Sequence, residues 1–474
     1  MQFLKNKPTN KYFQLDWLEI YLLIFSSALL GIWAVANTIA LRNILLALGT
    51  FTSGVYLIQL HHQARLKQYF GPKNLMALSG IFVFFWWVLA HCFLFPSDYL
   101  MQIKELKSIW LRSLLGSFLG FATGVAMLRN VSKSHWITIG MLGSFLILLI
   151  QYLIAFISSG RVLNVDWNGG TYIYLGKPNA VLMGMVLLAM LWGCFFDRVD
   201  RLPYRSNRYQ ESLLFLLHST IAYIFLFAFN ARSGEMYVLI LIIVVISLRY
   251  RFFKLARSNK NKLMTDGVAH LRVLAVLTLL MFFIYQQNKF NQSWHYLFED
   301  ALIVLRDFNK LNWLNVESYT LSLGEDGRTV FANNFQRISW FIAGLDLLIE
   351  NPIGTGSLKS HIGLLLTQKY PSISNNVISS HSGWIDFGLS FGYLGLLMMF
   401  ISFFWIIFCA LKLDLEYRFF ALFVSGTMAL IYLFNELSAD HGIEILIYVI
   451  ALLCALITPK SQHNSSNILI VKPR

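Results

Sequence analysis

The sequence predicts an all-α polytopic membrane protein with about twelve transmembrane helices and one large, partly helical periplasmic loop between the ninth and tenth spans. Three observations predict it. Of the 474 residues, 57% are hydrophobic and only 13% are charged, and the mean hydropathy is +0.59, which is too apolar for a soluble globular domain. Apolar runs of roughly 20 residues recur along the chain, the length at which a helix crosses the hydrocarbon with its backbone groups satisfied internally. Lysine and arginine concentrate in alternate connections, which sets orientation.

The first span, 17–36, follows Lys5, Lys7 and Lys11 and has no small-residue cleavage site after a short apolar core, so it reads as an anchor. A second span, 39–60, leads to a loop with Arg65, Lys67 and Lys73. Spans 75–94 and 109–128 lead to Arg129 and Lys133, and 136–158 leads to a connection with Arg161, Asp166 and Lys177. The sixth span, 180–196, precedes Arg198, Arg201, Arg205 and Arg208. Spans 213–229 and 233–248 are separated by the polar turn Asn230, Ala231, Arg232, and six basic residues from Arg249 to Lys262 come before the ninth span, 268–285. Spans 384–408, 419–434 and 443–457 complete the set, with Lys412 and Arg418 in a short loop and a tail from 459 ending in Lys472 and Arg474.

With the N-terminus cytoplasmic, every strongly basic short loop lies inside and only scattered charges lie outside. The net charge of +14 thus reads as topology, and nucleic acid is not an implied partner. The four cysteines, Cys92, Cys194, Cys409 and Cys454, all fall in spans and read as packing residues. The chain divides into a bundle at 1–286, an external segment at 287–383, three further spans within 384–458 and a cytoplasmic tail at 459–474. In the external segment, 294–308 and 335–349 repeat apolar residues at helical spacing. Asn351-Pro352 and Gly354-Thr355-Gly356 end the second of these helices.

The stretch 379–396, S-S-H-S-G-W-I-D-F-G-L-S-F-G-Y-L-G-L, carries polar chemistry directly into a span. His381 stands at that junction and belongs to the one residue type that ordinarily titrates near neutral pH. Gly383, Gly388, Gly392 and Gly395 let the following helix bend or approach its neighbours, and Asp386 is within reach to orient the histidine. Arg232 opens a span on the same side. It reads either as an interfacial arginine snorkelling to headgroups or pairing with Glu235, or as a bundle-facing cation with an anionic partner. Arg337, near the start of the second external helix, reads either as a solvated charge or as a second guanidinium fork for phosphate. His295, Arg306, Asp307, Glu325, Asp326, Arg328 and His361 show no spacing that favours chemistry over solvation. Trp294, Trp313 and Trp340 read as packing residues that could also stack on sugars.

The run His381-Ser382, Gly392, Gly395 after a large external loop resembles the signature of bacterial O-antigen ligases. R-I-S-W from Arg337, the following L-L-I-E-N-P-I-G-T-G, A-R-S-G around Arg232 and Gly176-Lys177-Pro178-Asn179 resemble elements of the wider O-antigen ligase and polymerase superfamily. Ala231 departs from the serine many members carry there. The resemblance implies an inner-membrane glycosyltransferase of the GT-C type, independent of metal and cofactor. Its donor would be a glycan on undecaprenyl diphosphate and its acceptor lipid A-core. In this reading Arg232 and Arg337 bind the diphosphate and stabilise its developing charge, while His381 deprotonates or positions the acceptor hydroxyl for a single inverting displacement. No Asp-rich metal motif appears on the external side. An O-antigen polymerase and a protein O-oligosaccharyltransferase would share this machinery. A lipid-linked glycan transporter is the alternative of another class, against which stands the scarcity of ionisable residues at mid-span.

Overall fold

The computed structural model describes residues 11–95, 97–160, 175–201, 208–256, 278, 282, 285, 292–316, 321–324, 327–359, 361–371, 373–374, 376–435 and 441–460. Among them there is no β-strand beyond two isolated bridges. In chain order the helices are α1 (Lys11–Ile32), α2 (Ile39–His62), α3 (Pro72–Leu94), α4 (Tyr99–Glu105), α5 (Leu111–Arg129), α6 (Ile139–Ser159), α7 (Lys177–Arg201), α8 (Arg208–Tyr223) and α9 (Arg232–Ala256). After these come α10 (Leu297–Asp307), α11 (Ala332–Glu350), α12 (His361–Lys369), α13 (Gly383–Lys412), α14 (Arg418–Phe434) and α15 (His441–Leu456).

The protein is an all-α polytopic membrane protein. Among the described residues nine helices are long and apolar enough to cross a membrane: the first eight sequence spans and the tenth. The ninth, 268–285, lies almost wholly outside the described residues, as do Arg161, Asp166, Glu325, Asp326 and the end of the tail. The last two expected spans are apolar helices whose described residues number 17 and 16, and α15 begins at the edge of the described residues. Every residue of α15 from Gly442 to Leu456 is buried, so protein surrounds it.

Small residues bring α15 into the centre. It packs chiefly on α5, where Gly120 and Gly124, four apart, face its backbone; a Cβ at Gly124 would stand 2.5 Å from Leu452 O. Further pairs, α7 with α14 and α3 with α13, extend the same apolar core. Sequence reading treats the residues before 109 as a connection. In the structure α4 runs through a single π-turn, Leu106–Trp110, into α5, so that this span covers Tyr99–Arg129.

The segment from 292 to 381 forms a second, smaller core around Val304, Trp313, Leu314, Phe335 and Ile362. Ile385 and Leu389 of α13 belong to it, which fuses the segment to the start of that helix. The fusion is completed by a break in α13. Gly392 has φ +66 and ψ −171 inside a 30-residue helix, a conformation essentially reserved for glycine. The break frees carbonyls that an unbroken helix would use internally. Leu389 O and Ser390 O instead accept from Thr355 N (2.9 Å) and Gly356 N (2.6 Å), while Tyr393 N donates to Pro352 O (2.9 Å). The turn 351–356 therefore supplies hydrogen-bond partners to the interrupted helix.

Behind that turn, Glu105 at the end of α4 is 2% exposed. Its carboxylate accepts from Ser357 Oγ (2.8 Å), Leu358 N (3.0 Å to Oε2) and Lys359 N (3.1 Å). Gln102 Nε2 donates to Thr355 O at 2.9 Å, and Ser97 Oγ donates to the same carbonyl. A loop inserted between helices has its backbone groups satisfied in this way by side chains of α4 and of Ser97 just before it.

Candidate functional site: a cationic cleft with one histidine

One helix, α11, organises the site. Asn334, Arg337 and Trp340 recur at three-residue spacing along one side of it. Asn334 Oδ1 accepts from Arg232 Nη1 at 2.9 Å, Arg337 lines the cleft beside it, and Trp340 lies against His381. All three sequence-selected residues, Arg232, Arg337 and His381, line a single open cleft. The cleft is bounded by the N-terminal ends of α7, α9 and α13 and by Phe434 and Asn435 at the far end of α14.

Arg232 is placed by its local turn. The chain leaves α8 through the π-turn Ile224–Ala228, reverses at Asn230 with φ +45 and restarts as α9, with Ala231 N bonded to Phe225 O at 2.8 Å. Asparagine is among the few residues that take this left-handed conformation at modest cost. Asn230 O accepts from Lys177 Nζ at 2.7 Å, which ties the turn to the first residue of α7. Ser233 Oγ then donates to Asn435 Oδ1 at 2.9 Å and closes one wall.

His381 also has positive φ, +60. The conformation is held from several sides: Ser380 N donates to Asp386 Oδ1 at 2.8 Å, Ser382 N to Ser380 Oγ at 3.2 Å, and Ser382 Oγ caps α13 by accepting from Ile385 N at 3.4 Å. The imidazole stacks on the indole of Trp340 with ring centroids 5.0 Å apart and 4° between planes. Trp340 is in turn fixed by a 2.9 Å bond from Nε1 to Trp313 O. Asp386 is 1% exposed and has His361 Nε2 3.2 Å from its Oδ1. It therefore braces the backbone of the His381 turn from behind.

The cleft is lined by cations with carboxylates behind them: Glu235 acts on Lys177 and Arg232, and Asp300 on Arg232, as opposite charges. Lys177, Arg232 and Arg337 act on one another as like charges, and the partial positive charges of three helix N-termini point the same way. Glu235, one turn into α9 and 2% exposed, lies in the field of Lys177 and Arg232. A cluster of half-buried guanidinium and ammonium groups at helix N-termini is suited to an anion with several oxygens. An imidazole, a side chain of the type used in general acid–base chemistry, stands beside it.

The other polar residues of the segment are engaged elsewhere. Arg306 and Lys310 pair with Asp307 at 3.0 Å each, and the Arg306 side chain holds the Asp307 carboxyl below the usual carboxylate range. Arg328 bonds Asp300 and covers the Tyr296 ring, His361 is buried on Leu358 O and Asp386, and His295 is exposed. Among the described residues no group of three or more His, Cys, Asp or Glu is placed to hold a metal.

Sequence reasoning quoted Lys177 within Gly176-Lys177-Pro178-Asn179 but counted it as a scattered external charge with no role, and it gave none to Asn334 or Glu105. Only the first left a signal, its place one residue before Pro178 at a span start. The arrangement defines a class: a membrane-embedded helical bundle with a cation-rich, histidine-bearing cleft at one end. The sequence matches no protein-family model, and no curated protein matches it.

Proposed function

We infer that the protein transfers a glycan from a polyprenyl diphosphate carrier, in the manner of an O-antigen ligase, with undecaprenyl-diphosphate-linked glycan as donor and lipid A-core as acceptor. The observation that carries the reading is the convergence of Arg232, Arg337 and Lys177 with His381 in one cleft, although these residues come from four separate stretches of the chain. In this reading the three cations bind the diphosphate and stabilise its growing charge as it leaves. His381 takes the proton of the acceptor hydroxyl while that oxygen bonds to the anomeric carbon. The bond from this carbon to the phosphate oxygen breaks, the diphosphate departs on its lipid, and the configuration inverts. The cations take the charge-stabilising part that a metal plays in other transferases.

The positive-inside asymmetry supports a bacterial inner-membrane protein with cytoplasmic termini and the cleft facing the periplasm. The segment at 292–381 then forms the wall through which the acceptor approaches. The test is reconstituted transfer from an undecaprenyl diphosphate donor to lipid A-core, with His381→Ala in parallel. Transfer by the parent and none by the variant is expected. Lengthening of lipid-linked chains from donor alone would make the protein a polymerase, and retention of anomeric configuration in the product would overturn the single displacement.

A further inference from the structure

Asn334 is 2% exposed, and its amide is engaged at both ends. Its Nδ2 donates to Ser293 O and to Asp300 Oδ2, each at 2.7 Å. Its Oδ1 accepts from Arg232 Nη1 at 2.9 Å. Asp300, on α10 and fully buried, accepts from Arg328 Nη2 at 2.9 Å with its other oxygen. The guanidinium of Arg328 is itself held 4.0 Å above the ring of Tyr296. A continuous polar relay thus runs from Arg328 through Asp300 and Asn334 to Arg232.

The acceptors behind Asn334 decide which way its amide faces. Exchanging its oxygen and nitrogen would set a carbonyl against the Asp300 carboxylate and an NH₂ against the guanidinium, two repulsive contacts in a buried place. The amide can therefore offer Arg232 only an acceptor. Its neutrality has a second consequence. A carboxylate at this point would compensate the guanidinium and compete with an anionic ligand, whereas an amide occupies one of the five N–H donors and leaves the charge and the remaining fork in place.

We propose that Asn334, oriented by Asp300, is a positioning residue that fixes the guanidinium of Arg232 for a diphosphate group. The proposal rests on the reading of Arg232 as a diphosphate ligand, and it makes the segment at 292–334 a working part of the anion site, not only a cover.

The test is a double-mutant cycle on the full chain in detergent, read as the affinity for inorganic pyrophosphate, with glycan transfer as a second readout. Arg232→Ala is expected to weaken pyrophosphate binding roughly tenfold or more, the effect of one charge-assisted contact. Asn334→Ala is expected to weaken it about three- to tenfold in the parent and by less than about twofold in the Arg232→Ala background, because its effect passes through that guanidinium. Asp300→Asn keeps volume and removes the orienting charge. It provides a second variant should Asn334→Ala fail to fold, and it is expected to weaken binding in the parent but not in the Arg232→Ala background. Losses that multiply in the double variants, or parent-like affinity in both Asn334→Ala and Asp300→Asn, would overturn the positioning role alone. Parent-like pyrophosphate affinity in Arg232→Ala would instead overturn the diphosphate reading itself.

Discussion

The indole of Trp340 lies flat on the imidazole of His381, with centroids 5.0 Å apart and planes within 4°. The contact joins the helix that carries Arg337 to the turn that carries the histidine. It restrains the tilt of the imidazole through the faces of the two rings and not through a ring nitrogen.

Trp340→Ala should therefore act on turnover more than on donor binding. A stacked aromatic pair is worth about 0.5–1.5 kcal/mol beyond its buried area, and in the proposed transfer a mis-set base lowers the rate of the proton-transfer step. We expect kcat to fall by about tenfold with donor KM within about twofold. Trp340→Phe keeps a ring over His381 but loses the bond to Trp313 O, and should recover most of the rate at a lower melting temperature. Equal loss of rate in the two variants would show that the indole N–H, and not the stack, is what matters.

The docking of the 351–359 turn on Glu105 gives a stability prediction. Glu105→Gln conserves shape but turns one acceptor into a donor that faces Ser357 Oγ, Leu358 N or Lys359 N. A buried donor left without an acceptor costs about 1–3 kcal/mol. The variant should melt several degrees lower in detergent and be cleaved faster by protease within 351–359, while Glu350→Gln, on an exposed ion pair with Lys369, should change neither.

Gly392→Ala should be far more damaging than alanine at a helical glycine in open surroundings. At Gly392 the backbone has φ +66 and ψ −171, and an added Cβ would strike Pro352 O and stand 2.5 Å from Ile353 C. Strain of about 1–3 kcal/mol for the conformation adds to displacement of the docked turn, so folded yield should collapse. Gly143→Ala and Gly426→Ala, where a Cβ would meet nothing within 4 Å, should express and melt like the parent. Normal folded yield of Gly392→Ala would show that the break in α13 is dispensable.

How much of this was legible in the sequence follows from what each feature asks of it. Nine of the twelve expected spans are helices long and apolar enough to cross a membrane among the described residues, and these were legible because about 20 apolar residues in lipid have only one way to satisfy their backbone. Arg232, Arg337 and His381 stood out through the motif stretches that carry them and not by residue type, since His295, Arg306, Arg328 and His361 share the external segment; the structure brings the three to one cleft. Asn334 was not legible. Its importance lies in two acceptors, Ser293 O and Asp300, that are distant in the chain, and no periodicity records such a contact. Glu105 was hidden for a related reason: a carboxylate between Lys104 and Lys107 reads as solvated, yet in the fold it accepts from Leu358 N and Lys359 N, far along the chain. The break at Gly392 was anticipated only as a tendency to bend. Nothing local to 383–412 says that the turn at 351–356 fills it.

Lys177 provides the remaining prediction because its two attachments pull apart. Its ammonium bonds Asn230 O at 2.7 Å, which steadies the turn before Arg232, and its charge adds to those of Arg232 and Arg337 in the cleft. Lys177→Gln keeps a donor for the carbonyl and removes the charge; Lys177→Met removes both. If the charge governs, both variants should raise donor KM by about tenfold at low salt, and the gap from the parent should narrow as sodium chloride is raised from about 50 to 500 mM, since screening weakens the parent's advantage. If the hydrogen bond governs, Lys177→Gln should resemble the parent and Lys177→Met alone should fall, with no salt dependence. We expect the first pattern. A diphosphate is recognised through charge, and Asn230 already has a second restraint in the bond from Ala231 N to Phe225 O across its turn.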